Sequence, residues 1–317
     1  MRFYDEMLSL TLSDMQASAQ RIAADIIATP LLPFLGEAAA EIRLKAECLQ
    51  PLGSFKIRCG ANALAMADGQ ALQHGVATAS AGNFAQGLAL AAKRRDIALV
   101  VHVPESAPTS KVAAIERFGA RVVRHSFSRW WEIMSTRDTG ADDGLFIHPV
   151  CERSVVLGNS TIGLELARQW PDVDTVVVPI GGGGLASGIA LAFRALGRKV
   201  SIVGCEVDSF APLSAALAAG QPVTIERVAS FVDGIGSLRV LEEMWPLLRT
   251  VIDEVVTVSV DDCAAAVRSL AFNNHIVAEG AGACALAAAL SPRFNGKNVA
   301  AVISGGNINR DILLDLL

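Results

Sequence analysis

This 317-residue sequence lacks a long hydrophobic run, a cysteine pair and a basic stripe, and each absence excludes a class of protein. Without about 18 consecutive apolar residues, it has no candidate membrane span. Its six cysteines form no CxxC pair and no zinc-finger pattern, so we expect small apolar core residues in a reducing compartment. A net charge of −5 with scattered lysines and arginines makes nucleic acid an unexpected partner.

The beginning of the sequence also lacks a basic segment followed by an apolar run. No signal peptide is therefore predicted, and the cytoplasm is the expected location. No solenoid repeat and no low-complexity linker divides the chain. What is present is a globular composition, 52% hydrophobic, with enough residues for two domains that each have a core.

Short apolar runs alternate with helix-like windows along most of the chain. A first helix is predicted to begin with Ser13 as its cap and to end near Ala28, and a half-buried strand is predicted from Glu41. Strands separated by helices indicate an α/β fold with parallel-rich twisted sheets flanked by helices. Further strands are predicted at 76–80, 98–103, 121–123, 145–148, 175–180, 201–206, 254–260 and 299–304, and helices at 111–118 and 161–170; the stretch 126–143 is the least regular.

Lys56 lies between two large apolar residues, Phe55 and Ile57, and follows a glycine turn. These neighbours are expected to draw its stem toward the interior, where desolvation disfavours the ammonium form. A neutral lysine amine can attack an aldehyde and form a Schiff base. Lysines beside apolar residues more often lie at the surface with their stems packed, so later segments must support the catalytic interpretation.

Four consecutive glycines, Gly181 to Gly184, and Leu185 join an apolar run to an alanine-rich helix. Backbone N–H groups converge there at the positive end of the helix dipole, which suits a phosphate dianion. One or two glycines would satisfy a tight turn, so four in a row favour an anion site. The spacing fits neither GxGxxG with an acidic ribose partner nor a P-loop, so a nucleotide is the weaker choice of ligand.

Two further strand-to-helix junctions carry polar side chains. In the segment 80–84, free N–H groups could hold a carboxylate, and Asn83 could donate its amide to an oxygen atom. Helix capping by Ser80 or Asn83 is the alternative, and it is favoured for that segment alone. Ser304 stands between the last predicted strand and the last helix, where its hydroxyl could contact a ring nitrogen or cap the helix.

Together, a strand-end SFK lysine, an SAGN loop, a GGGGL loop and a C-terminal SGGN resemble the fold-type II pyridoxal-phosphate enzymes, specifically the threonine/serine dehydratase and serine racemase branch. The resemblance covers nearly the whole chain and implies a fold like that of the tryptophan synthase β subunit. The implied domains are a large cofactor-binding domain, 1–65 together with 146–317, and a small domain, 66–145, that closes over the substrate. The other matching segments are 29–31, 103–111, 119–120, 161–165 and 279–283.

The resemblance also implies a role for each motif. Lys56 would hold the cofactor, pyridoxal 5′-phosphate, through its aldehyde and would then act as the base at the substrate α-carbon. Ser304 would face the pyridine nitrogen. Glu279 would lie close to the cofactor, or it would be only a charge at a helix N-terminus. The remaining implied contacts are the phosphate with Gly181, Gly182, Gly183, Gly184 and Leu185, the ring 3′-oxygen with Asn83, and the substrate with Ser80, Ala81, Gly82, Asn83 and Phe84.

Several positions depart from the family pattern. Phe84 stands where histidine is common, and Ala81 stands where the racemase branch has its second acid-base serine. Pro212 replaces the last ligand of a cation site that begins at Glu206, although Glu206 and Asp208 could form a poorer one. No metal ligand is therefore assigned, and whether a divalent or monovalent cation binds stays open. The usual GQGT segment is Gly158-Asn159-Ser160-Thr161 here.

The predicted activity is β-elimination from a small hydroxy amino acid, such as L-threonine or L-serine, to a 2-keto acid and ammonia. A cytoplasmic homodimer without membrane or nucleic-acid partners is expected. The alternatives are a dehydratase of 3-hydroxyaspartate or another β-substituted amino acid, a serine racemase-like isomerase and a β-replacing synthase. A non-catalytic sensor or scaffold is the alternative from another class, and Lys56, Asn83 and Ser304 argue against it.

Overall fold

The computed structural model describes residues 2–226 and 228–317, and two sheets form its centre. The strands are β1 (Leu31–Pro33), β2 (Glu41–Lys45), β3 (Val76–Ala79), β4 (Leu99–Pro104), β5 (Arg121–His125), β6 (Leu145–Phe146), β7 (Thr175–Pro179), β8 (Ser201–Val207), β9 (Glu254–Val258) and β10 (Asn298–Val302). The larger sheet has the order β1-β2-β10-β7-β8-β9, and the smaller has the order β5-β4-β3-β6. All neighbouring strands are parallel except β1 and β2.

Helices connect the strands and cover the sheets. They are α1 (Phe3–Leu8), α2 (Leu12–Arg21), α3 (Lys56–Met66), α4 (Gly69–Leu72), α5 (Asn83–Lys93), α6 (Thr109–Glu116), α7 (Phe127–Thr136), α8 (Arg153–Gln169), α9 (Gly184–Ala195), α10 (Pro212–Ala219), α11 (Trp245–Val251), α12 (Val260–Asn274), α13 (Gly280–Ala289) and α14 (Arg310–Leu316). In the described part of the chain, no helix combines the length and the apolar composition that a membrane span requires. The predicted α/β class is confirmed.

Both faces of the larger sheet are buried, which explains its continuous apolar strands. Along β7, Val176 and Val178 belong to one hydrophobic core, while Val177 belongs to the core on the opposite face. Side chains alternate between the two faces of a strand, so a strand covered on both sides carries mostly apolar residues. A third core lies around the smaller sheet and includes Ile57 of α3 and Leu88 of α5.

Two local predictions were wrong. The helix predicted at Ser13 begins at Leu12 and ends at Arg21, because Thr11 is its cap and forms a reciprocal capping box with Asp14. The stretch 126–143 is not irregular throughout, since it contains α7, which Ser126 caps through the N–H of Arg129. This helix buries Ile133 and Met134, so packing as well as the cap stabilises it.

The smaller sheet is formed by strands between residues 76 and 146, while the larger sheet takes strands from both sides of that segment. Helix α3 packs against both α5 and α8 and therefore joins the two sheets. The domain boundaries at 65/66 and 145/146 stay a prediction. The loops after β3, β7 and β10 leave the carboxyl ends of their strands, where ligands of open α/β sheets bind.

Candidate active site

A cleft of about 550 Å³ lies at the carboxyl ends of the strands. It brings together every residue that the sequence proposed for cofactor or substrate binding, although their distances along the chain are large. Its lining includes Lys56, Ser80, Ala81, Gly82, Asn83, Phe84, Gly181, Gly182, Gly183, Gly184, Leu185, Glu279 and Ser304. The individual roles of these residues stay predictions.

Lys56 is the first residue of α3, so the prediction of a strand-end lysine was wrong. Backbone pairing holds the segment before it in place: Ser54 forms a bridge with Gly305, and Phe55 N–H donates to the Ser304 carbonyl over 3.1 Å. Helix α5 approaches closely because Gly87 has no side chain; a Cβ there would lie 2.8 Å from the Lys56 carbonyl carbon. The lysine is thereby fixed between the last strand's loop and the 80–84 loop.

The Lys56 ammonium has aromatic neighbours and no carboxylate partner among the described residues. Its Nζ lies 4.9 Å from the ring centroid of Phe55 and 5.6 Å from that of Phe84. Burial lowers the pKa of Lys56, and the neighbouring Cys59 acts in the opposite direction only as a thiolate. Burial raises the pKa of Cys59 to about 11, so this thiol is neutral near pH 7. Nothing charged therefore opposes the desolvation of the lysine.

The glycine loop connects β7 to α9. Gly183 has a φ of 87°, a left-handed conformation that favours glycine, and it caps α9 without a side chain. Gly182 needs to be small for a different reason, since its Cβ would lie 2.5 Å from Val150 Cγ2. One positive φ thus accounts for one glycine only. The loop delivers the free N–H groups of the first turn of α9 to the cleft, which is the arrangement that binds phosphate.

Asn83 crosses the cleft instead of capping its helix. The cap of α5 is Gly82, which makes no side-chain cap, so the capping prediction for Asn83 was wrong. Its amide Nδ2 donates to Glu279 Oε1 over 2.8 Å, and its Oδ1 accepts from Asn307 Nδ2 at 2.9 Å. Ser80 Oγ accepts a hydrogen bond from Gly82 N–H, which shapes the loop. Ala81 presents only a methyl group.

Glu279 stands at the N-cap position of α13, but its side chain makes no cap hydrogen bond. The carboxyl group instead lies in the cleft, where it is 6% exposed and bonded to Asn83. Burial and the nearby charge of Asp233 raise the pKa of Glu279 to about 7, with Lys111 and Asn83 acting in the opposite direction. The group therefore keeps part of its proton near neutral pH.

Ser304 is 5% exposed, follows β10 and lines the cleft. It does not cap the last helix, as one interpretation had it, because α14 begins at Arg310 and has Asn309 as its cap. The backbone of the following glycine instead binds the opposite wall, since Gly305 carbonyl accepts from Glu279 N–H. Ser304 therefore contributes a neutral hydroxyl group to the lining of the cleft.

Sequence reasoning missed several residues of the cleft wall. Lys111 of α6 and Asp233 form an ion pair of 2.5 Å that joins the two sides of the cleft. Trp130 of α7 also lines the cleft, and its indole N–H donates to the His102 carbonyl over 3.2 Å. Lys111 lies in the segment 103–111 that matches the family, which was a usable signal. No local pattern points to Trp130, because it lies in the stretch whose sequence is the least regular.

The two carboxylates considered for a cation are occupied by hydrogen bonds. Glu206 is fully buried and accepts from Leu213 N–H, Ser214 N–H and Ser214 Oγ at the start of α10. Burial raises its pKa. Asp208 accepts from Val260 N–H at the start of α12. In residues 2–226 and 228–317, no three His, Cys, Asp or Glu side chains are grouped closely enough to hold a metal ion.

The residues of the cleft fit pyridoxal phosphate. The first turn of α9 would supply donors for the phosphate, and Lys56 would supply an amine for the aldehyde. Ser304 would offer the pyridine nitrogen a neutral hydroxyl, which does not force ring protonation. The fit rests on observed features: a glycine loop at the N-terminus of α9, in which a Cβ at Gly182 or Gly183 would lie within 2.6 Å of a neighbouring side chain, and an amine without an acidic partner among the described residues in the same cavity.

Comparison with known proteins agrees with this chemistry. A family model described as pyridoxal-phosphate dependent enzyme matches residues 22–305. The L-threonine ammonia-lyase of Thermotoga maritima is 37% identical over 96% of this chain and 77% of that protein, and the catabolic L-threonine dehydratase of Escherichia coli K12 is 34% identical over 95% and 94%. Maize serine racemase superposes with a TM-score of 0.88 at 30% identity, covering 97% of this chain and 96% of its own. This chain belongs to the pyridoxal-phosphate-dependent enzymes of fold type II.

Proposed function

We propose that the protein is an ammonia-lyase that removes the β-hydroxyl and the amino group from a small hydroxy amino acid, such as L-threonine or L-serine. The products are a 2-keto acid and ammonia. Relatives named L-threonine ammonia-lyase and L-threonine dehydratase, at 37% and 34% identity, support the reaction class. The observation that supports the proposal is Lys56, a desolvated amine that has no acidic partner among the described residues, in a cleft whose lining fits the cofactor.

Lys56 acts first as the attachment point and then as the base. Bound pyridoxal phosphate supplies the electron sink for the charge that develops at the substrate α-carbon. With cofactor and substrate bound, Lys56 Nζ would be placed to take the α-proton, because desolvation favours the neutral amine. Phe55 and Phe84, whose rings flank Nζ, keep water away from it. The β-hydroxyl would leave with one proton as water, and the enamine released would take up one water to give the keto acid and ammonia.

The 80–84 loop holds the substrate carboxylate in this proposal. It lies at the start of α5, where backbone N–H groups have no helical acceptor and the dipole is favourable. Asn83 is held in position by Glu279 and Asn307. Because Glu279 keeps part of its proton near pH 7, it positions Asn83 without a full negative charge beside the ligand.

The charges of the cleft favour a neutral substrate side chain. Among the described residues that line it, the cations are Lys56 and Lys111, and Lys111 is paired with Asp233. A second substrate carboxylate, as in 3-hydroxyaspartate, would find no unpaired cationic side chain, other than the catalytic lysine, among the described residues that line the cleft. The wall formed by Trp130, Met134 and Pro149 is largely apolar. A methyl or hydrogen at the β-carbon suits this wall.

Elimination is favoured over racemisation by Ala81. Racemisation needs an acid on the face of the substrate opposite to Lys56, and a methyl group cannot donate a proton. Removal of the α-proton by Lys56 is sufficient for elimination. Racemisation is the second candidate activity, because the chain is similar to serine racemases.

A screen of keto-acid release tests the proposed function. The purified holoenzyme is given both enantiomers of threonine, serine, 3-hydroxyaspartate and phenylserine, and the unreacted substrate is analysed by chiral chromatography. We expect keto acid and ammonia from one enantiomer of threonine or serine, with little inversion. Inversion as fast as elimination would support the racemase, and preferred turnover of 3-hydroxyaspartate would contradict the neutral-wall argument.

Two further parts of the proposal concern the assembly and its place. We propose a cytoplasmic homodimer that contains a small domain, 66–145, able to close over the substrate. Light scattering on the purified protein checks the dimer, and fluorescence from a label on α6 with and without substrate checks the closure. A fully active monomer, or a label that does not respond to substrate, would contradict the respective part.

A further inference from the structure

Asn159 is a buried amide without a hydrogen-bond partner. It lies in α8, its exposure is 0%, and neither its Nδ2 nor its Oδ1 has a partner within the described residues. Buried polar groups are nearly always bonded, because an unpaired amide loses its hydration without compensation. An amide left in this condition calls for a ligand or an ordered water.

The side chain of Asn159 runs along α9 toward the glycine loop. Its Cβ lies 2.7 Å from the position that a Cβ of Gly188 would take, and its Nδ2 lies 3.5 Å from the corresponding position at Gly184. Gly184 is the first residue of α9, one turn before Gly188. The amide therefore ends beside the first turn of α9, where the free N–H groups lie.

The contact between α8 and α9 does not itself require an amide. One turn further along α8, Gly163 approaches Ile189 and Ala192 without any polar side chain. The neighbours Val156 and Ile162 of α8 are buried in the same apolar core as Ile189. An apolar residue at 159 would satisfy this packing. The amide is therefore better explained by a polar group near the first turn of α9.

We propose that Asn159 Nδ2 donates a hydrogen bond to the cofactor phosphate at the first turn of α9, directly or through one water. The inference deepens the cofactor site on which the proposed function rests. A neutral amide suits this place, because it adds a donor to the backbone cradle without adding charge. Asn159, from α8, would then contact the phosphate through its side chain, whereas the glycines of the loop contribute only backbone N–H groups.

The test compares Asn159→Leu with a matched control, Thr175→Val. Both substitutions remove a buried polar group that has no partner, but Thr175 is at the start of β7, at the other end of the strand from the glycine loop. The readouts are the rate of pyridoxal-phosphate release from the holoenzyme, the ³¹P resonance of the bound phosphate and the thermal midpoint at saturating cofactor.

We expect Asn159→Leu to release the cofactor roughly 10- to 100-fold faster and to move the ³¹P resonance, because a hydrogen bond to a charged group is lost. Its midpoint at saturating cofactor should fall only as far as the weaker cofactor binding explains. Thr175→Val should leave release and resonance unchanged. Asn159→Asp, equal in size, should release the cofactor faster still through repulsion, and it replaces the leucine variant if that one does not fold.

The inference would be overturned if both Asn159 variants release the cofactor at the wild-type rate and keep the wild-type ³¹P resonance. This holds even if their thermal midpoint falls, because a lower midpoint alone indicates a packing role for Asn159. Equal acceleration in Thr175→Val would overturn it too. These outcomes leave the proposed function intact provided that the wild type holds the cofactor. A wild type that binds no pyridoxal phosphate would overturn both.

Discussion

Two lysines, Lys45 and Lys56, lie eleven residues apart, and their surroundings differ in exposure and in the presence of an acidic partner. Lys45 is fully buried, and its Nζ donates to Thr29 carbonyl at 2.8 Å, Glu165 Oε2 at 2.5 Å and Gln169 Oε1 at 3.0 Å. Lys56 faces the cleft between two aromatic rings, with no acid beside it among the described residues. The first has all three donors satisfied; the second is free to react.

The partners of Lys45 belong to a larger buried ionic network. Arg58, two residues after Lys56, binds Glu47 through two hydrogen bonds of 2.8 Å and binds Glu165 at 2.7 Å. Burial acts to raise the pKa of Glu47, but Arg58 overrides it and holds that pKa below its usual value. The network joins β2, α3 and α8, and so fixes the helix on which Lys56 stands.

The comparison shows that burial alone does not make a lysine reactive. Burial lowers the pKa of both lysines, but at Lys45 the carboxylates of Glu47 and Glu165 offset part of that effect. At Lys56, the neighbours are two aromatic rings and a neutral thiol, and no carboxylate among the described residues offsets it. The hydrogen bonds of Lys45 stabilise the fold, whereas the unpaired amine of Lys56 is available for reaction.

Replacing Lys56 is expected to have the largest effect. Lys56→Ala removes both the attachment point and the base, so we expect turnover to fall by at least about 10³-fold and the visible band of lysine-bound cofactor to disappear. The variant should still fold, because the Lys56 ammonium makes no hydrogen bond or ion pair with the described residues that the substitution would remove. Absorption spectra, keto-acid release and thermal melts check this. A variant with the normal visible band would refute the site.

Breaking the network at Arg58 should produce the opposite pattern. Among the described residues, Arg58→Met leaves the fully buried Glu47 with only Thr29 as a side-chain hydrogen-bond partner, so we expect a loss of roughly 3–5 kcal/mol in the free energy of unfolding. Denaturant unfolding measures it, with Arg43→Met, at a half-exposed ion pair, as the control. A loss no larger than that of the control would show that the network does not support α3.

Glu279→Gln tests the electrostatics of the cleft itself. With a pKa raised to about 7, Glu279 binds more protons in the folded than in the unfolded protein between about pH 4.5 and 7. It therefore makes stability fall as pH rises through that window, and glutamine removes this fall. At pH 8 the cofactor-free variant should be more stable than the wild type by up to about 3 kcal/mol. Parallel stability curves from pH 4 to 8 would contradict the assignment.

Ser304→Ala is expected to have the smallest effect. The loss of one hydroxyl partner for a ring nitrogen costs about 1–3 kcal/mol, visible as weaker cofactor binding or slower turnover. The hydroxyl is nearly buried, so a change confined to this contact is expected. Cofactor affinity and kcat are measured together, with Ser80→Ala as the comparison at the substrate loop. Unchanged affinity and rate would remove Ser304 from the site.

Sequence patterns predicted the features that are local or shared with a family. The glycine loop, the parallel strands and the set of cleft residues follow from short motifs, because each motif carries its own backbone geometry. Pairs far apart in sequence could not be read in the same way. Asn83 meets Glu279 across 196 positions and Lys111 meets Asp233 across 122, so neither contact leaves a local signal.

Local ambiguity explains the remaining errors. Thr11 and Ser13 are both good helix caps, and the choice depends on whether Asp14 reaches back to form the capping box. Glu279 stands at a helix N-terminus and in the cleft at once, so its position along the sequence fits both interpretations. Only the direction of its side chain separates them, and packing sets that direction.

The most direct test of the central claim is to find the lysine that carries the cofactor. Borohydride reduction of the holoenzyme makes the bond between cofactor aldehyde and lysine permanent, and peptide mapping by mass spectrometry then locates it. We predict the modification on the peptide that contains Lys56 and none on peptides with Lys45 or Lys111. Modification of Lys111, or of any lysine other than Lys56, would contradict the account.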